Sequence, residues 1–255
     1  MARIVDFPLL VFVISFLGLW LSAWLGAALS RKRLVEHEGV RDDFGLILAA
    51  TLTLLGLIIG FSFSMATGRY DQRKNLEEAE ANAIGTEYVR VDLLPAAKAA
   101  KARELLKSYA EQRILYYTTR GEEEIREIDA RTARLQTELW SAILAPARAD
   151  PNPVMALVVS GMNDVLNSQS YTQAAWWNRI PHAAWILMAA IAACCNLLAG
   201  YRAHDFRKEA VLLLVLPLVV AISFFLIAEI DSPRSGLIRV KPQNLEALIE
   251  SLRAP

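Results

Sequence analysis

Residues 45–68 read GLILAATLTLLGLIIGFSFSMATG, and residues 69–94 continue RYDQRKNLEEAEANAIGTEYVRVDLL. The first part is apolar enough for lipid; the second is charged but rich in helix formers, with no proline before Pro95. Phe44 to Pro95 is therefore predicted as one helix, half in lipid and half in water. At 1.5 Å per residue it is roughly 75 Å long, against a hydrocarbon core of about 30 Å.

Three further apolar runs complete the set. Residues 8–30 (PLLVFVISFLGLWLSAWLGAALS) carry no charge and are long enough to span. A signal peptide is the competing reading, but such apolar cores are about 7–15 residues, and Arg31-Lys32-Arg33 suits an anchored helix end. Residues 183–200 and 210–230 form the third and fourth spans. Short linkers, RKRLVEHEGVRDD and YRAHDFRKE, join the runs in pairs. The expected fold is all-α: four transmembrane helices in two hairpins with a helical soluble insert between the second and third. The expected parts are residues 1–68 (first hairpin), 69–180 (extramembrane body), 181–231 (second hairpin) and 232–255 (a tail packing on the body).

Composition agrees with a mixed membrane and aqueous chain. Of 255 residues, 55% are hydrophobic, more than a soluble domain carries, and the formal net charge is +0, which argues against a nucleic-acid partner. Cys194 and Cys195 are adjacent in an apolar run, and the chain has three histidines, so neither a disulfide framework nor a metal site is expected. No nucleophile elbow, phosphate loop or zinc motif is present, so no enzyme and no cofactor are expected.

The insert reads as helices throughout. Leu105, Leu106, Tyr109, Arg113 and Tyr116 recur at helical spacing. Gly121 is a stop, Glu122-Glu123-Glu124 fit a first helical turn, and Ile125, Ile128, Leu135, Leu139 and Ile143 carry that helix toward Pro146. A further helix follows the DPNP turn, from Val154 to about Tyr171. Trp176 and Trp177 are expected as an aromatic anchor at the membrane interface.

Candidate functional positions cluster on the second span. Gly56, Gly60, Ser64 and Gly68 form a small-residue seam, which serves either another helix of the same chain or a ring of identical subunits. Leu54, Ile58, Phe61 and Met65 form a separate apolar stripe, either facing lipid or lining a constriction that gates by dewetting. Beyond them, Arg69, Asp71 and Arg73 are pore-mouth or interface charges, with most of residues 69–78 expected on a solvated face; Arg73 and Glu77, and Lys74 and Glu78, are spaced as i,i+4 pairs. The fourth span leaves through Glu229, Asp231, Pro233 and Gly236, where the acids either ligate a cation, pair with Arg234 or form an ordinary exit turn. Pro217 is expected to kink the fourth span, and Asn196 to bond a neighbouring helix.

Residues 60–95 (GFSFSMATGRYDQRKNLEEAEANAIGTEYVRVDLLP), Gly200-Tyr201 and residues 225–252 (FLIAEIDSPRSGLIRVKPQNLEALIESL) resemble the bacterial bestrophin-like family of membrane proteins, a family of unknown function. The most specific parts are EANAIGT (Glu80 to Thr86) and the Asp231, Pro233, Gly236 block. That family is remotely similar to the bestrophins, which are pentameric anion channels. The resemblance implies a homo-pentamer in the bacterial inner membrane, small anions such as chloride as its ions, and the second helix lining the pore through Ile58, Phe61 and Met65. Phe61, Phe63, Arg69, Tyr70 and Arg73 stand where bestrophins carry a similar Phe, Tyr and basic pattern. The bestrophin Phe-Arg-Thr-Asn run and the acidic calcium clasp are absent, so calcium gating is not implied. The resemblance places the helical body in the cytoplasm, whereas Arg31-Lys32-Arg33 places the first short loop there instead. A non-conducting scaffold acting through the body is the alternative to a channel; a transporter is a weaker third option, with neither paired broken helices nor a mid-membrane carboxylate.

Overall fold

The structure is a computed structural model that describes residues 4–31, 38–203 and 210–253. Lys32, Arg33, Arg207 and Lys208, used above for linkers and orientation, lie outside the described residues. The described residues are helical with short connections and hold no strand. The helices are α1 (Pro8–Arg31), α2 (Glu38–Arg90), α3 (Ala96–Thr118), α4 (Glu122–Ala149), α5 (Pro153–Trp177), α6 (His182–Arg202), α7 (Ala210–Asp231) and α8 (Gln243–Arg253). Four stretches are long and apolar enough to cross a membrane: in α1, in α2, in the α5–α6 region and in α7.

Residues 1–69 and 179–239 form one compact unit; residues 70–178 and 240–255 form a second. The helix α2 contributes to both, because nothing between Phe44 and Arg90 breaks it. It closes in a 3-10 turn, Val91–Leu93, where Pro95 forbids further α geometry.

In the first unit α1 packs on α6 and α7. The α1–α6 crossing is made by backbone: a Cβ on Gly26 would stand 2.0 Å from the Leu197 carbonyl oxygen, and one on Gly200 would stand 1.9 Å from that of Ala23. Only glycine permits that approach. Ser22 Oγ donates across it to the Ala193 carbonyl at 3.1 Å. At the start of α2, the Phe44 ring meets Tyr201 of α6 at 5.0 Å. Asn196 is buried, but its Nδ2 donates to the Ala192 carbonyl of its own helix at 2.8 Å, not to a neighbouring helix as expected. The i−4 carbonyl is the nearest acceptor a short amide can reach.

In the second unit the α3 and α4 stripes face inward, with Leu106, Tyr109, Leu139 and Ile143 fully enclosed and joined by Ile84, Met162 and Leu245. Four of the helices start for a local reason. Pro95 and Pro181 cap α3 and α6, three glutamates open α4, and Asn152 accepts from Met155 N at 2.8 Å with Pro153 at the first turn of α5. Pro146 does not end α4, which runs on to Ala149. The tryptophan pair divides. Trp177 is exposed, but Trp176 is buried among Tyr116 (ring centroids 5.1 Å apart) and Tyr117 (5.5 Å), so only Trp177 suits an interfacial anchor.

Candidate functional site

The apolar part of α2 is the least covered of the four apolar helices. Only 6% of its most apolar stretch is buried, against 44% for α7. Its covered face is narrow: Leu55, Ser62 and Ala66 are buried, one or two turns apart. The seam lies off that face. A Cβ on Gly56, Gly60 or Gly68 would meet no atom within 4 Å, and Ser64 is exposed, so among the described residues no helix of the same chain occupies it. The stripe is likewise uncovered: Phe61 is 63% exposed and Met65 42%, with Leu54 also exposed and Ile58 half-buried. The stripe keeps to one narrow sector of the helix, whereas the seam, stepping four residues at a time, drifts by about 40° per step from the side opposite the stripe at Gly56 to the flank of the stripe at Gly68.

Past the apolar part, the covered face turns ionic. Residues 69–78 divide: Asp71, Lys74 and Glu78 are exposed as expected of a solvated face, but Arg73 and Glu77 are buried, as is Glu80 one turn further on. Arg73 Nε donates to the Ala175 carbonyl at 3.3 Å and its Nη2 to that of Asn178 at 3.4 Å, which closes the C-terminal end of α5. Glu77 accepts from Asn244 N (3.0 Å), Asn244 Nδ2 (2.6 Å) and Leu245 N (3.0 Å), so it caps α8 from another helix. Burial raises the Glu77 carboxyl above its ordinary range, and these three donors pull it back only in part.

Glu80 pairs with Arg113 inside the body. Arg113 Nε donates to Oε1 at 2.5 Å, while Tyr117 OH (3.2 Å) and Thr172 Oγ1 (3.4 Å) donate to Oε2. The Arg113 guanidinium also lies 4.4 Å from the Tyr116 ring centre. Burial acts to lower the Arg113 pKa, but the Glu80 carboxylate outweighs it and the net shift is upward. Burial, with Glu80 adding to it, pushes the Tyr117 hydroxyl far above its usual range.

The exit of the fourth span is a closed turn. Glu229 Oε2 accepts from Leu237 N at 2.5 Å, and a Cβ on Gly236 would sit 2.6 Å from that oxygen and 2.7 Å from the Glu229 carbonyl oxygen. Pro233 is half-buried within the turn. Asp231 is buried at the end of α7, where it accepts from Ile180 N and Arg179 Nε, both at 3.1 Å. Arg69 Nη1 lies 3.7 Å from Asp231, and Arg179 Nη2 lies 2.8 Å from Asp6. Arg69, Arg179, Asp231 and Asp6 thus form a quartet of balanced charge. No group of three or more metal-ligating side chains is found among the described residues.

Sequence reasoning missed three features: the Gly26–Gly200 backbone crossing, the Glu77 cap and the Glu80–Arg113 pair. Gly200 and Glu80 each opened a motif that carries the resemblance, and that was their only signal. Arg113 shares its helical spacing with Leu105, Leu106, Tyr109 and Tyr116, and its ionic partner is 33 residues away in sequence.

Comparison with known proteins follows the same lines. Residues 10–245 match the Bestrophin-like domain family. No curated relative matches by sequence. A bacterial bestrophin homologue from Klebsiella pneumoniae superposes with TM-score 0.65 at 14% identity, over 94% of this chain and 95% of that one. A structure described as a membrane protein with a single glycine-to-alanine substitution gives TM-score 0.65 at 15% identity, over 94% and 96%. The Klebsiella homologue carrying a tryptophan-to-alanine mutation gives 0.64 at 14%, over 94% and 93%. At such identities the likeness is one of fold, and with the four candidate spans it describes a membrane protein; the family match covers most of the chain. The chain belongs to the bestrophin-like family.

Proposed function

We propose that this chain assembles as a ring of identical subunits in the bacterial inner membrane and passes small ions, chloride and other anions first, along a pore lined by α2. The observation that carries this reading is the bareness of α2: a small-residue seam and an apolar stripe, both left open by the described chain. Lipid alone gives no reason for small residues to line up, whereas close packing of neighbouring helices does. In a ring, Ile58, Phe61 and Met65 line a hydrophobic constriction that opens or closes by wetting. The resemblance to bestrophins supports the ring, the ion pathway, a pentamer and a helical body in the cytoplasm.

One observation favours the alternative, a non-conducting scaffold acting through the helical body. Arg69 is drawn toward Asp231, so the cationic mouth expected from the sequence is largely neutralised within each subunit. Purified protein in chloride-loaded liposomes separates the two. A channel gives chloride flux that changes when Phe61→Ala widens the stripe. A monomer without flux overturns the channel reading and leaves the scaffold.

A further inference from the structure

Three glutamates on the covered face of α2 are buried, and two of them are well supplied with donors. Glu77 has three, and Glu80 has Arg113, Tyr117 and Thr172. Glu87 differs. It is 0% exposed, and both its carboxylate oxygens are buried without a hydrogen-bond partner. Opposite it on α5 stands Gly161, where a Cβ would lie 2.0 Å from Glu87 Oε2 and 2.5 Å from Arg90 Nη1. The glycine is the space in which the carboxyl sits.

The charged groups acting on Glu87 are Arg90 on its own helix and Asp164 on α5. Burial is the largest influence and favours the neutral acid. Arg90 opposes it and Asp164 adds to it, and the carboxyl is pushed up to about 8. An ionised carboxylate without donors is costly in such a place, while a neutral acid is tolerable.

We propose that Glu87 is a proton-operated latch between α2 and α5: neutral, it lies buried on Gly161; ionised, it leaves that contact for water. The proton passes to and from bulk solvent, and the latch does not depend on conduction. The sign follows from linkage. Between the ordinary carboxyl range and about pH 8, the folded chain holds a proton that the unfolded chain has released, so stability falls as pH rises and levels off above about 8.

The test uses the full-length protein in detergent or nanodiscs, as wild type, Glu87→Gln and Asp164→Asn. Infrared titration should find a protonated-carboxyl band that disappears near pH 8 and is missing from Glu87→Gln. Thermal unfolding from pH 5.5 to 9 should show a wild-type decline that Glu87→Gln lacks. Asp164→Asn, an exposed change, should shift the midpoint to lower pH by removing a like charge. Should Glu87→Gln not fold, the wild-type band and its shift in Asp164→Asn still decide. Coincident pH profiles for wild type and Glu87→Gln, or no carboxyl titrating near pH 8, overturn the proposal.

Discussion

Replacing Arg113 with leucine would test what holds α2 to the helical body. Arg113 and Glu80 are both 0% exposed, so the variant leaves a carboxylate buried with only Tyr117 and Thr172 as donors. Breaking a buried pair from one side costs about 3–5 kcal/mol, mostly for the stranded charge. The lost guanidinium–Tyr116 contact contributes a further ~1 kcal/mol. Chemical denaturation of the purified protein in detergent, followed by circular dichroism, reads the total. The emission of Trp176, taken as the difference from a Trp176→Phe background because the chain has six tryptophans, reads the same event locally, since its ring packs on Tyr116 and Tyr117. One control isolates the cause. Glu80→Met with Arg113→Met should recover at least half, because no ion is then stranded. A loss below about 1 kcal/mol in Arg113→Leu, or a double variant no better than the single, would refute the reasoning.

Other expectations concern the remaining contacts. Gly200→Val should abolish folding of the first unit or cut its yield sharply, because its Cβ meets the Ala23 backbone, whereas Gly56→Ala should leave the subunit fold intact and alter only the oligomer seen by cross-linking. Asp231→Asn should loosen the quartet at the end of α7 and cost about 2–4 kcal/mol in thermal unfolding, since Arg69 loses its carboxylate and Arg179 keeps only that of Asp6. Glu77→Ala should release α8, at about 1–3 kcal/mol, and appear as faster proteolysis after Arg239 with α2 unchanged.

The pattern of α2 was legible because apolar and charged residues change along it without a breaker. The stripes of α3 and α4 were legible because helical periodicity marks the buried side wherever that side is apolar. The same logic failed on α2 beyond Gly68. There the buried side includes Arg73, Glu77, Glu80 and Glu87 beside Ala81 and Ile84, and sequence pattern assigns the charged ones to solvent. Trp176 failed for a related reason: an aromatic beside a span fits the interface and a core equally well.

By itself, the sequence determined four apolar runs, an all-helical plan and the family motifs, because length, hydropathy and helix propensity act locally. Only the tertiary structure decided where α2 is bare and where it is covered. It decided that Gly26 and Gly200 bring two backbones together while Gly56, Gly60 and Gly68 face open space. A glycine carries no label for what lies opposite it, and a buried charge is recognised only by a partner that the fold brings from far along the chain. That partner is Arg113 for Glu80, and for Glu87 the place opposite is filled by Gly161.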